Sequence, residues 1–312
     1  MLEANQNPGC QLIHPMQRRE FLKYTAMLTG GLAVLRTPFG WAIEKDFPIL
    51  VIAKEGSPGE LVRKAVAKLG GMSRFVKPGD IVIVKPNMSW DRVPEQAATT
   101  HPEIVREVVS MCFEAGAKQV KVFDYTLNEP RRCYKRTGIQ SAAESAGATV
   151  PFISERKFKK VPFPEGELIR EWEIYEDVLH ADKIINLPIA KHHSISAVSL
   201  GMKNLMGLIG GNRGQFHRQF PKKIVDLSTR IRPTLVILDA YRMLVRNGPS
   251  GGSLSDVILK KTVIAGTDPV AVDSYGASLF GLYPDQVPFL VEAKTRGLGE
   301  NNLKKISTVI VS

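Results

Sequence analysis

Between Phe47 and Phe280 the chain alternates short apolar runs with stretches of helical period, and this alternation restricts the fold more than any other feature. Ile49–Ala53, Ile81–Val84, Val120–Phe123, Lys183–Asn186, Leu235–Leu238 and Val263–Ala265 read as strands. Ile81-Val82-Ile83-Val84 is apolar at every position, as a strand covered on both faces requires. Between strands, Ser57-Pro58-Gly59-Glu60 supplies an N-cap, a proline for the first helical position and a capping-box glutamate. Leu61, Val62, Ala65, Val66 and Leu69 then form one apolar stripe, and Gly70-Gly71 stops it. Thr100 to Glu103 reads as a second capping box, and Asp268 as the cap of a helix running from Pro269 to Phe280. Strands separated by helices give parallel βαβ units. The predicted fold is therefore α/β: a doubly wound, mainly parallel sheet flanked by helices, with an irregular insertion around 151–180. Residues 43–312 are expected to form one domain.

The first 42 residues have a different character. Gln17-Arg18-Arg19-Glu20-Phe21-Leu22-Lys23 resembles a twin-arginine export signal. The mildly apolar stretch Tyr24–Leu35 that follows is too short to span a bilayer, and Gly40-Trp41-Ala42 offers a cleavage site after Ala42. The resemblance implies that residues 1–42 are a removable signal peptide read by the twin-arginine translocation machinery. The mature protein is then periplasmic or otherwise exported, without a transmembrane anchor. That pathway carries folded proteins, often with a cofactor already inserted.

The basic excess survives removal of the signal: 38 basic and 29 acidic residues remain, a net charge near +9. Such an excess favours anionic partners. No helix-turn-helix, zinc-finger or aromatic RNA-binding pattern accompanies it, so nucleic acid is a poor fit and a small anionic ligand a better one. Cys112 and Cys133 are the cysteines left, and there is no CxxC, so no iron–sulfur cysteine cluster is visible in this chain.

Several strands end in a polar residue: Val84 leads to Lys85-Pro86-Asn87, Phe123 to Asp124, Ile185 to Asn186 and Leu238 to Asp239. Open α/β sheets bind ligands beyond the carboxyl ends of their strands, so these residues are candidates for one site. Asn186 to His193 and Gly201 to Gly207 are the richest stretches. Lys85, Lys191 and Lys203 suit charge neutralisation or, when desolvated, proton transfer, while Asn87, Asn186 and Asn204 suit substrate orientation. His192 or His193 is a candidate proton carrier; adjacent residues point in different directions, so one of the two is expected to face the site. Gly207, Gly210 and Gly211 lie in a glycine-rich run able to wrap an anion with backbone amides, and with His217 and Arg218 close behind it is placed to cover a site. Asp273 shares a helical face with Val270 and Ala277, an odd place for a charge without a partner. Together with Asp124, Asp239 and a histidine it is a candidate ligand for a divalent metal; no other cofactor is legible.

These segments resemble the family known as domain of unknown function 362. The likeness rests on Val84-Lys85-Pro86-Asn87, on Leu187-Pro188 with Lys191 and His193, on Lys203-Asn204 with Gly207, and on the run from Gly266 to Asp273. The family supplies no settled reaction. Some members are fused to ferredoxin-type domains, whose cysteines this chain lacks. A more distant similarity, to the nickel-pincer lactate racemase group, implies acid–base chemistry on an anion and transfers no residue. The resulting expectation is an exported enzyme doing acid–base or metal-assisted chemistry on a small carboxylate or phosphate. The alternative is a non-catalytic metal- or cofactor-binding redox-accessory protein.

Overall fold

The computed structural model describes residues 50–312, so the expected export signal lies outside the described residues. In chain order its first half holds β1 (Leu50–Lys54), α1 (Pro58–Lys68), β2 (Ile81–Pro86), α2 (Pro102–Glu114), β3 (Gln119–Val122), α3 (Pro130–Arg136) and α4 (Ile139–Ser145). The insertion follows with β4 (Phe158–Pro162), β5 (Glu171–Tyr175) and α5 (Glu176–Leu179). Then come β6 (Lys183–Leu187), β7 (Ile189–His193), β8 (Ala197–Ser199), α6 (Gly201–Asn204) and α7 (Phe220–Arg230). Last are β9 (Leu235–Leu244), β10 (Val257–Gly266), α8 (Pro269–Ser278), α9 (Pro288–Thr295) and β11 (Thr308–Val311).

The main sheet runs β11-β1-β10-β9-β6-β2-β3, with β7 alongside the far half of β9 and β8 paired to β7. The β1/β11, β2/β3, β2/β6, β6/β9 and β7/β9 pairs are parallel. On the main path β10 alone runs against its neighbours. The sheet is thus the expected mainly parallel α/β sheet, and both faces are covered. Along β1, Leu50 and Ile52 enter a core shared with α7, α8 and α9, while Val51 and Ala53 enter one shared with α1 to α4. This two-sided burial is why the strands carry so few polar residues before their carboxyl ends.

The caps explain where the helices begin. At α1 the capping box forms as read: Glu60 N–H donates to Ser57 Oγ and the Glu60 carboxylate accepts from Ser57 N–H at 2.8 Å. At α2 the expected Thr100 box is replaced. His101 is the cap, its Nδ1 accepting from Glu103 N–H, because the Thr100 hydroxyl is engaged elsewhere. That hydroxyl accepts from Asn87 N–H at 2.8 Å and donates to the Leu187 carbonyl at 2.7 Å, tying the ends of β2 and β6 together. Asp268 caps α8 as read, accepting from Val270 and Ala271 N–H. The insertion is more regular than its composition indicates: β4 and β5 form a separate antiparallel hairpin. The sequence reading misses β7, whose Lys191-His192-His193 ending hides a strand. Cys112 and Cys133 are both buried and unpaired.

Candidate functional site

β2 has β3 on one side and β6 on the other, so chain direction across the sheet switches at its carboxyl end. A cavity of about 160 Å³ opens there, lined by Asn87, Trp90, Lys191, His193, Lys203, Asn204, Arg213 and His217 among others. Its size matches a small molecule; an engineered cavity of ~150 Å³ in another protein holds benzene.

Three lysines meet at this place with different hydrogen-bond surroundings. Lys85, the penultimate residue of β2, is fully buried beneath the cavity rather than on its wall. Its Nζ lies 2.9 Å from Asp124 Oδ1 and donates to the Pro86 carbonyl at 2.6 Å and to Asn204 Oδ1 at 3.3 Å. Burial lowers its pKa and Asp124 opposes that. Two oxygen acceptors and an ion-paired carboxylate around Nζ suit an ammonium. Lys191, on β7, is 1% exposed; its Nζ donates to the Ala98 carbonyl at 2.6 Å and to Asn87 Oδ1 at 3.2 Å. Desolvation drives its pKa down to about 7, with Asp124 opposing and the charges of Lys203 and Lys85 assisting. Lys203, on α6, has no oxygen acceptor among the described residues. Its Nζ lies 3.8 Å from Met206 Sδ and 4.8 Å from the centroid of the Phe220 ring, and burial brings its pKa to about 8.

Arg213 adds a fourth cation. Its guanidinium donates to the Tyr125 and Thr126 carbonyls at 2.7 and 3.2 Å and stacks 4.0 Å over the Tyr125 ring. On the cavity wall Lys191, Lys203 and Arg213 therefore face Asp124, whose charge is already matched by Lys85. The balance there is positive.

Of the adjacent histidines, His193 lines the cavity and His192 does not, as alternation along a strand requires. His193 Nδ1 accepts from Ile195 and Ser196 N–H, which places the proton on Nε2. Burial, with Lys203 next in effect, pushes its pKa to about 3, so at neutral pH it is an uncharged N–H donor. His192 Nδ1 accepts from Gly248 N–H, outside the site. His217 stacks on His193 with ring centroids 5.7 Å apart, and its buried Nδ1 has no hydrogen-bond partner among the described residues.

A chain of side-chain amides underlies the site. Asn87 Nδ2 donates to Asn204 Oδ1, Asn204 Nδ2 donates to Asn186 Oδ1 and to the Lys85 carbonyl, and Asn186 Nδ2 donates to the Gly201 carbonyl. Because the Gly201 and Lys85 carbonyls can only accept, the orientations of Asn186 and Asn204 follow, and Asn204 Oδ1 then fixes that of Asn87. Asn204 is thus framework as much as wall, and Asn186, which does not line the cavity, is framework. Gly207 closes the floor: a Cβ there would overlap Asp124 Oδ1 and stand 2.7 Å from Lys85 Cε.

The three carboxylates read as metal ligands do not come together. Asp124 Oδ2 accepts from Met88 N–H and Ser89 Oγ, and its Oδ1 faces Lys85. Asp239 accepts from His101 and Tyr241 N–H, which pins α2 to β9; burial raises its pKa to about 6. Asp273 accepts from Gly201 and Met202 N–H and so anchors α6; burial raises its pKa to about 7. Among the described residues no three His, Cys, Asp or Glu side chains are grouped to hold a metal. The groups facing the cavity are amines, a guanidinium, amides, two imidazoles and Asp124, whose carboxylate is ion-paired with Lys85, a cation-rich set that does not fit a resident divalent cation. Gly210 and Gly211 also leave the site: they pack against Phe158, Trp172 and Glu173 of the hairpin, with the Trp172 indole donating to the Gly210 carbonyl. Trp90 and Arg213 escaped the sequence reading. Trp90 follows Asn87 in the same loop, and Arg213 stands inside the glycine-rich run already singled out.

Fold and site together define an α/β protein with a cationic, lysine-centred pocket at the carboxyl edge of its sheet. The chain belongs to the family described as domain of unknown function DUF362, whose model matches residues 82–278 and so spans every cavity residue named above. It is 27% identical over 245 residues to a thylakoid-associated protein of Synechocystis, covering 76% of this chain and 74% of that one. Among solved structures it is similar to the lactate racemase apoprotein of Thermoanaerobacterium thermosaccharolyticum, with TM-score 0.45 and 13% identity over 80% of this chain. A Thermotoga maritima protein of a structural genomics programme gives TM-score 0.41 and 14% identity over 73% of this chain. The chain covers 60% of the length of each of those two proteins.

Proposed function

We propose that this protein is an exported enzyme whose pocket binds a small carboxylate or phosphate and acts on it by proton transfer centred on Lys191. The observation that carries this reading is the positive balance of the cavity wall: Lys191, Lys203 and Arg213 converge there, while Asp124 is taken by Lys85. A bound anion supplies the missing counter-charge. Lys203, without an oxygen acceptor among the described residues, is the anion's first partner, with Arg213 beside it. His193 offers its Nε2–H as a neutral donor. Lys191, with a pKa near the working pH, takes or returns the proton. Export follows from the Arg18-Arg19 signal. Among the described residues no helix is long and apolar enough to cross a membrane.

Calorimetric titration with acetate, lactate, succinate and inorganic phosphate tests the binding. Lys203→Gln is expected to weaken the tightest of these by about ten- to a hundredfold, the worth of a charge-assisted hydrogen bond. An absence of binding across the panel, or equal binding by the variant, removes the reading. Deuterium uptake from D₂O into the bound anion's activated C–H, lost in Lys191→Met, tests the proton transfer. Retention of exchange in that variant excludes Lys191 as the base. Export is tested by the amino terminus of the secreted protein, expected at Ile43.

A further inference from the structure

We propose that Lys191 captures a small oxo acid as an imine, while Lys203 and Arg213 hold the acid's carboxylate. This deepens the anion reading above and rests on it: it names the substrate class as a carboxylate that also carries a ketone or aldehyde.

A neutral amine has two N–H groups and one lone pair, and an ammonium has three N–H groups and no lone pair. Lys85 donates to two oxygens and is ion-paired with the Asp124 carboxylate, and is built as an ammonium. Among the described residues Lys191 Nζ has two, the Ala98 carbonyl and Asn87 Oδ1, and no carboxylate. Two bonds satisfy the neutral amine and leave its lone pair for the cavity that Lys191 lines. Neither acceptor is free to swing away: one is backbone, and the other belongs to an amide held by Asn204. The cations around Lys191 act in the same direction, since Lys203 and Lys85 both disfavour a further positive charge there. Lys203 differs in having no oxygen acceptor among the described residues and the Phe220 ring 4.8 Å from its Nζ, so its N–H groups are open to a carboxylate.

The step balances without any further reagent. The Lys191 lone pair forms the C–N bond to the carbonyl carbon. The carbonyl oxygen leaves as water, carrying the two hydrogens of the amine, and a C=N bond remains. Protonation of that nitrogen gives an iminium whose single N–H points to the Ala98 carbonyl, the shorter of its two present bonds. His193 Nε2–H is the neutral donor in the same cavity that can assist departure of the oxygen. Burial holds the Lys191 amine well below the range of an ordinary lysine, so its neutral form is far more accessible at neutral pH than that of a solvent-exposed lysine. That difference is the source of selectivity over the other lysines.

The experiment is reductive trapping on the full chain. The protein is incubated with pyruvate or with acetoacetate, reduced with borohydride, digested and mapped by mass spectrometry. The expected result is a stoichiometric reduced adduct on the Lys191 peptide, suppressed by excess succinate and absent in Lys191→Arg. The map of the unaltered protein is decisive by itself if that variant fails to fold. No adduct, or comparable yields on Lys203 and surface lysines, overturns the proposal. Calorimetry with succinate runs in parallel. Succinate binding without an adduct overturns the imine alone and leaves the anion site standing; neither binding nor adduct overturns both.

Discussion

Asn87 Nδ2 donates to Asn204 Oδ1 at 3.1 Å, and through that bond Lys191 on β7 is joined to Lys85 on β2. Each amide in the chain has its hydrogen-bonding groups committed, so the network behaves as one unit. Asn204→Ala removes a partner from Asn87, Asn186 and Lys85 at once. The expected cost is about 2–4 kcal/mol, since buried polar groups left without partners are penalised individually. Urea denaturation measures it; a loss below about 0.5 kcal/mol contradicts the network, being within the scatter of neutral surface changes.

Breaking the buried ion pair gives a second prediction, with a pH signature. Asp124→Asn leaves the Lys85 charge uncompensated and is expected to destabilise the fold by ~3–5 kcal/mol near neutral pH. Without Asp124 the folded-state pKa of Lys85 falls further, so the unfolded chain holds more protons than the folded one above that value. Stability of the variant, relative to the unaltered protein, should therefore recover as pH rises. Denaturant midpoints measured from neutral to alkaline pH decide this, and a deficit that stays flat or grows with pH contradicts it.

Anion affinity should fall as pH rises through the values of about 7 and about 8 that burial sets for Lys191 and Lys203. Both lysines attract an anion only when protonated, and the anion in turn raises their pKa. Binding near pH 8 is expected to take up protons, and affinity to drop at least about tenfold between about pH 6 and about pH 9. Calorimetry in buffers of different ionisation enthalpy reads the proton uptake directly. Proton release on binding would have the wrong sign.

Gly207→Ala tests the close packing of the site's floor. The added methyl overlaps Asp124 and crowds Lys85, so melting should shift down by the equivalent of ~1–3 kcal/mol, the usual cost of overpacking. Gly297→Ala is the control: a Cβ there has nothing within 4 Å, and only the backbone cost of φ +71° remains. Equal losses at the two positions would mean that the Lys85–Asp124 pair moves freely.

What was legible in the sequence is what short-range physics writes into it. Two-sided apolar runs identify strands covered on both faces, Ser57 and Asp268 mark helix starts, and Lys85, Asp124, Asn186 and Asp239 stand out as polar residues closing apolar runs, although β9 continues past Asp239 to Leu244. Which of those four share a site depends on strand order. Lys85 and Asn204 are 119 residues apart and touch because β6 lies beside β2, with α6 seated at the edge of both. Asp239 carries the same local signal as Asp124, yet it accepts from the His101 amide that caps α2 and from Tyr241 on its own strand, and Asp273 anchors the start of α6. The different states of Lys85, Lys191 and Lys203 are likewise tertiary. A lysine's charge in a buried site is set by how many acceptors, and which neighbouring charges, the fold places around its nitrogen, and none of those is adjacent in sequence for Lys191.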